Sequence, residues 1–169
     1  MGDVTNATIF PHNIGLGATR DSALVRRIGQ AVAEEMWAAH IDLNFSPAIS
    51  VPRDERWGRT YEGFGEIPEL VASLGAAYVR GLQGDNFDAE WRVPATVKHF
   101  LGDGATDKGY DRGNATISEE ELNAIHLPPY IAAIEQGVQS VMASFNQVNG
   151  VHQHVDSLRL TVLLKKELG

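Results

Sequence analysis

The sequence predicts an α/β fold built as one sector of a parallel barrel, and three observations predict it. Short apolar runs rich in β-formers alternate with stretches of helical periodicity, which argues for parallel strands joined by right-handed crossovers. Polar and charged residues gather directly behind each apolar run, as they do at the strand ends of barrels and doubly wound sheets. The 169 residues hold fewer than half of the units that fill the ~250 residues of a complete eight-fold barrel.

The elements follow in order. A leading helix is expected at about 22–39, where Asp21 or Ser22 can cap the start and Leu24, Ile28, Ala31, Val32 and Met36 recur on one face. "IDLNFSPAISV" (41–51) then reads as a strand entering a loop. A second helix at about 66–82 carries Leu70, Val71, Leu74 and Tyr78 on one face, with Gly84 just beyond its end. "VPATVKHF" (93–100) is the second strand. Ser118 and Glu121 form a capping box for a helix that Pro128-Pro129 must interrupt, and a second helical piece runs on to Gly137. "SVMASF" (140–145) is the third strand. Asp156 or Ser157 opens a last helix through Leu158, Leu160, Leu163 and Leu164. The expectation is a partial (β/α)8 TIM barrel, about three strand–helix units plus a leading helix, occupying 1–169 as a single segment. A small complete α/β sandwich is the rival architecture.

Composition narrows the function. A hydrophobic fraction of 43% with 21% charged residues suits a folded soluble domain rather than a disordered chain. A net charge of −8 and no local Lys/Arg cluster leave nothing to neutralise a phosphate backbone, so nucleic acid is not an expected partner. Cysteine is absent, which removes disulfides and thiolate chemistry. No apolar run approaches the ~20 residues that span a bilayer, and "MGDVTNATIF" lacks the basic-then-apolar pattern of a signal peptide. No membrane association is expected.

Three groups of polar residues mark one rim. Behind the first strand stand Arg53, Asp54, Glu55, Arg56, Arg59 and Glu62; behind the second, Lys98, His99 and Asp103; behind the third, Ser144, Phe145 and Asn146. Charged groups that hydrogen-bond vicinal hydroxyls, together with aromatics that cover an apolar ring face, are what a sugar requires. Surface pairing of Arg with Glu explains the first group equally well on spacing alone. Lys98 and His99, being adjacent on a strand, can both line a site only if the backbone bulges or turns, which Gly102 and Gly104 would allow.

Other motifs are weaker. "GDGATDKG" and "GLGATR" begin like phosphate loops but lack the third glycine and the G-K-[ST] ending, so no nucleotide cofactor is expected. Asp103, Asp107 and Asp111 are four apart, which does not suit an EF-hand loop. His152 and His154 could grip a metal, but with no third ligand at telling spacing they read as surface histidines, and no metal site is expected. "NAT" at Asn6 and Asn114 matches a glycosylation acceptor.

Taken together, "ATIFPHNIGLGATRD", "FSPAISVPRDERWGRTYEGFGE", "ATVKHFLGDGATDKG" and "VMASFNQVNGV" resemble glycoside hydrolase family three, in its branch of β-glucosidases and β-glucan exohydrolases. The resemblance covers essentially the whole chain. It implies an exo-acting, retaining glycosidase with a β/α barrel followed by an α/β sandwich domain, secreted or periplasmic as a whole, and acting on a β-glucoside or β-glucan. It places Arg59, Lys98 and His99 among the residues that hold the hydroxyls of the terminal glucose, with Glu62 supporting Arg59. Phe145 takes a position where some relatives carry a sugar-contacting tyrosine. "KHFLGDG", in place of "KHFPGHG" with a later Asp-Ser-His, favours glucose over N-acetylglucosamine.

The resemblance also implies that no catalytic residue lies in this chain. The nucleophilic Asp falls just beyond the point matching Gly169, followed by a sugar-stacking tryptophan, and the acid/base comes from the second domain. A sugar-binding Asp precedes "NATIFPHN", and Asp3 is too close to that motif to take its place. Activity is therefore expected only with the rest of the barrel and the second domain of a parent chain. The alternative is a non-catalytic sugar-binding or self-assembling module.

Overall fold

The computed structural model describes residues 4–85, 87 and 90–169, so Asp3 lies outside the described residues. Two helices lead the chain rather than one. α1 (Asn13–Thr19) ends where Arg20 turns left-handed and its N–H donates to Gly17 O, and α2 (Ser22–Ala38) starts at Asp21, whose carboxylate accepts from Leu24 N at 2.9 Å. Of the expected stripe α2 buries Ile28 and Val32, with Leu24 and Met36 partly buried against the core, and it buries Val25 besides. It lies against α3 (Pro68–Gln83), which buries Val71, Leu74, Tyr78 and Leu82 and stops at Gly84. The two helices meet at glycines: a Cβ on Gly81 would stand 2.3 Å from Arg26 O, and one on Gly29 2.7 Å from Tyr78 O. Only the missing side chains let the backbones approach so closely.

The parallel sheet is centred on β1 (Thr96–Phe100). In residues 41–51 the expected continuous strand is only partly realised. Parallel bridges join Asn44 to Ala95 and Ala48 to Lys98, but between them Pro47 has no N–H to give to a ladder. The segment still runs beside β1, with Thr96 N donating to Asn44 O at 2.9 Å and Ile49 N to Lys98 O at 2.9 Å. On the other side β1 pairs in parallel with a later strand, reached through helices on the outer face.

That crossover begins at Ser118, whose Oγ accepts from Glu121 N at 3.0 Å. α4 (Glu119–Glu121) passes into a π-turn over Leu122–His126, and α5 (Pro128–Glu135) restarts with Pro128 in its first turn, the interruption that the two prolines impose. α5 packs against α3, and the Tyr130 ring meets Phe100 edge-on at 5.1 Å. The chain then enters the parallel partner of β1. A small second sheet precedes and follows it, so the strands in chain order are β2 (Asn114–Ala115), β3 (Ser140–Ala143), β4 (Gln147–Val148) and β5 (Val151–His152). β3 is the partner of β1; β2 pairs with β4 in parallel, and β4 with β5 in antiparallel fashion through a turn at Asn149-Gly150. The last helix, Leu158–Glu167, is wound as a π-helix and is capped by Asp156, which accepts from Leu158 N and Arg159 N.

The result is three parallel extended segments in chain order, with α2, α3 and α5 packed outside, which is the geometry of a barrel sector. Its two ends differ. At the strand starts the buried amide of Gln83 accepts from Ala95 N (3.0 Å) and Gln139 N (3.1 Å) and donates to Gly137 O (2.8 Å). At the strand finishes the polar loops collect.

Candidate functional site

β1 does not end as a regular strand. Its register with β3 slips between Lys98 and Phe100, so that Phe100 already faces Ala143 while Lys98 faces Met142. This bulge is the irregularity that two neighbouring side chains need in order to serve one site. Beyond it the chain turns at Gly102, at φ 80° in the left-handed region, and a single tight turn over Asp103–Ala105 brings Asp103 back beneath His99.

Four of the five sequence-predicted residues come together here. Arg59 donates from Nε to Glu62 Oε1 and from Nη2 to Glu62 Oε2, each at 2.8 Å, a bidentate pair. The same Nη2 lies 3.1 Å from His99 Nε2. Lys98 lines a cleft of about 420 Å³ with Glu62, Asn13, His12, Tyr78 and Phe10. The charges of Lys98 and His99 both bear on Glu62, whose carboxyl is held below its ordinary range mainly by the hydrogen bonds from Arg59, against its partial burial. Burial draws the Lys98 ammonium below its usual value, Glu62 opposes, and Arg59 adds to the lowering.

Phe145 belongs to a different set of contacts. It is exposed, with the Arg112 guanidinium 5.6 Å above its ring and the His154 ring 5.6 Å away edge-on. His152 is engaged by Gln147 at 2.9 Å, and among the described residues no group of three or more His, Asp or Glu could hold a metal ion. The three aspartates spaced four apart diverge: Asp103 faces His99, Asp107 accepts from the Thr116 amide and hydroxyl, and Asp111 lies 3.6 Å from Arg112. The amide of Asn114 is taken up by Thr116 and Gly150, whereas Asn6 is exposed. Of the glycine-rich stretches, "GLGATR" is largely α1 and "GDGATDKG" two tight turns.

The structure adds residues whose part sequence reasoning does not single out. Asn13 donates to Glu62 O at 2.8 Å and so ties α1 to the arginine loop. Ser50 Oγ accepts from His99 N at 3.3 Å. Asp103 is almost fully buried, and its Oδ2 stands 2.9 Å from His99 Nδ1 without the alignment of a hydrogen bond. Tyr130, wholly buried nearby, has its phenol pushed well above its usual value by burial and then by the charge of Asp103, with Ser50 opposing. The only sequence signal for the Asp103 contact is the glycine on either side of it, which permits the reversal of the chain.

Comparison with known proteins agrees with this architecture. The family model of the glycosyl hydrolase family 3 N-terminal domain matches residues 1–169. A β-xylosidase of Formosa agariphila is 37% identical over 169 residues, covering 97% of this chain and 23% of that protein. A periplasmic β-glucosidase of Salmonella typhimurium is 33% identical over 162 residues, covering 96% and 21%. The crystal structure of an exo-1,3/1,4-β-glucanase from a Pseudoalteromonas species superposes with a TM-score of 0.95 at 52% identity, over 99% of this chain and 21% of that one. The chain thus spans about one fifth of the length of these relatives. Its sequence, its barrel geometry and the match along its whole length make it a member of glycosyl hydrolase family 3, carrying sequence of that family's N-terminal barrel domain.

Proposed function

We propose that this chain is the substrate-cradling sector of the barrel of a retaining, exo-acting β-glucosidase that releases terminal β-D-glucosyl residues from glucans or oligosaccharides. Arg59, Lys98 and His99 hold the hydroxyls of the terminal glucose, Glu62 fixes Arg59, and Phe145 borders the ring from the end of the third strand. The observation that carries this reading is the cluster that Arg59 forms with Glu62 and His99 at the strand ends, with Glu62 and Lys98 lining the adjoining cleft. Cationic donors beside a carboxylate, which would repel a phosphate, suit a vicinal diol better than they suit a phosphate or an apolar ligand. The glucanase and β-glucosidase among the relatives support glucose, although a β-xylosidase stands beside them.

Retaining hydrolysis uses two carboxyl groups about 5 Å apart, one as nucleophile and one as acid/base. Glu62 is committed to Arg59 and Asp103 is buried against His99, so neither is free to attack an anomeric carbon or protonate a leaving oxygen. On this reading the nucleophile and the acid/base belong, as the family resemblance implies, to the rest of the barrel and to the second domain of a parent chain, itself secreted or periplasmic like the Salmonella relative. No helix among the described residues is long and apolar enough to cross a membrane.

A second reading, a self-assembling sugar-binding module, is favoured by one observation: among the described residues β3 pairs with β1 alone, leaving one edge of the sheet unpaired. Titration of the chain with methyl β-D-glucoside, together with an assay on an aryl β-glucoside, tests the main reading. We expect binding that Lys98→Ala weakens roughly ten- to hundredfold, the range for a hydrogen bond from a charged group, and no turnover above that variant. Turnover well above Lys98→Ala would refute the assignment of the catalytic carboxylates elsewhere, and an unchanged affinity in Lys98→Ala would refute the cradle. Concentration-dependent sedimentation would favour the assembling module.

A further inference from the structure

We infer that Asn149 is a site of spontaneous covalent modification, and that the folded chain holds the site shut through Asn114. The inference is independent of the sugar reading above.

Of the asparagines in the sequence, Asn149 alone precedes a glycine. A glycine carries no side chain to keep its amide from approaching the asparagine carboxamide. In that reaction the Gly150 N–H gives its proton to hydroxide, the nitrogen bonds to Cγ of Asn149, and the Cγ–Nδ2 bond breaks. Nδ2 leaves as ammonia, with a proton returned by water. Water then opens the succinimide at either carbonyl, which yields aspartate or isoaspartate. Both residues are exposed, so water and hydroxide reach the turn.

Hydrogen bonds oppose each part of that reaction. The Gly150 N–H donates to Asn114 Oδ1 at 2.8 Å, so the nucleophile keeps its proton. The Asn149 side chain accepts from Ile117 N at 3.2 Å and donates to Ile117 O at 2.7 Å. Cγ cannot swing towards Gly150, nor Nδ2 depart, unless both of those bonds break. Asn114 is itself fixed. Its Nδ2 donates to Thr116 Oγ1 at 3.0 Å, and the Thr116 hydroxyl donates to Asp107 at 2.7 Å, which leaves the Asn114 oxygen turned towards Gly150.

Asn149 and Gly150, at φ 49° and 83°, form the turn between β4 and β5, and Asn149 N also donates to Ala115 O at 3.0 Å. Every one of these bonds runs to β2 or the residues just beyond it, so modification waits until the hairpin leaves β2. It is also one-way. An aspartate at 149 has no donor for Ile117 O and sets an anionic oxygen against it, and isoaspartate adds a carbon to the main chain of the turn. A hairpin that has opened and reacted cannot reseat as before, and β4 begins two residues after Phe145.

The chain is held at pH 8, folded and in parallel in guanidinium chloride; it is then digested, and the mass gain of amide-to-acid conversion is localised to Asn149 by fragmentation. We expect the folded chain to react at least about tenfold more slowly than the denatured one, because the rate scales with the fraction of open hairpin. Asn114→Ala, shown to be folded by circular dichroism, should react about five- to tenfold faster than the wild type, the weight of one hydrogen bond. Equal rates in the folded and denatured wild-type chain overturn the inference, whether or not Asn114→Ala folds. A folded Asn114→Ala as slow as the wild type overturns the assignment to Asn114. If Asn114→Ala does not fold, Thr116→Val, which removes the anchor of the Asn114 amide, takes its place with the same two outcomes.

Discussion

The guanidinium of Arg59 lies flat against the carboxylate of Glu62, with Nε 2.8 Å from one oxygen and Nη2 2.8 Å from the other. Each side chain keeps about a quarter of its surface exposed, which places the pair between a weak surface bridge and a buried one.

The pair makes stability depend on acid in a stated direction. Because the Glu62 carboxyl is held below its ordinary 4.5 in the folded chain, its contribution is complete above that value and is lost as the pH falls through the lower folded value. Glu62→Gln should destabilise the chain by about 1 kcal/mol at pH 7 and by nothing at a pH below the folded value. Urea midpoints of both proteins across that range check it.

His126 acts at a higher pH. It is 2% exposed in the π-turn after α4, and burial first, then the charge of Arg53, lower its imidazole from 6.5 to about 4. The unfolded chain therefore binds a proton that the folded chain refuses, and stability must fall as the pH drops from 6.5 towards 4. The total loss should be about 2–4 kcal/mol. In His126→Leu the loss over that interval should be absent; a parallel decline in both proteins would exclude His126 as the cause.

Gln83 tests the opposite end of the sheet. Replacing it by Leu keeps the volume similar but strips acceptors from the amides of Ala95 and Gln139. Two buried donors without partners should lower stability by about 2–4 kcal/mol, measured by denaturant unfolding, whereas Gln83→Glu should recover part of it.

Gly81 gives a test of helix packing that runs against intrinsic preference. In an exposed helix Gly→Ala stabilises by up to about 1 kcal/mol, yet here the new methyl would meet Arg26 O at 2.3 Å. Gly81→Ala should destabilise by about 1–3 kcal/mol as α2 and α3 are forced apart. A raised melting temperature would show that the helix pair is not held at this distance in solution.

Much of this fold is legible in the sequence because its signals are local. The apolar stripes of α2 and α3, the caps at Asp21 and Ser118, and the break at Pro128 each act within one or two turns of chain. α1 escapes such reasoning because two glycines dilute its periodicity, and at least one of them answers to a distant contact: a Cβ on Gly17 would collide with the carbonyl of Phe64. The strand expected over 41–51 is weakened by Pro47, and β2, β4 and β5, two residues each, are too short to show alternation. At the site, the bulge at Lys98 and His99 is readable from the glycines that follow. The union of Arg59 with His99 across 40 positions, and of His99 with Asp103 through a reversed turn, depends on how the strands are stacked. No spacing in the sequence encodes either.

One amide, that of Gln83, fastens two strand starts and a helix exit at the end of the sector away from Arg59 and His99. The framework therefore does not rely on the loops at the rim to stay assembled. Those loops can change in length and chemistry without unseating the strands, so that an alteration at the rim is a local edit rather than a redesign of the molecule.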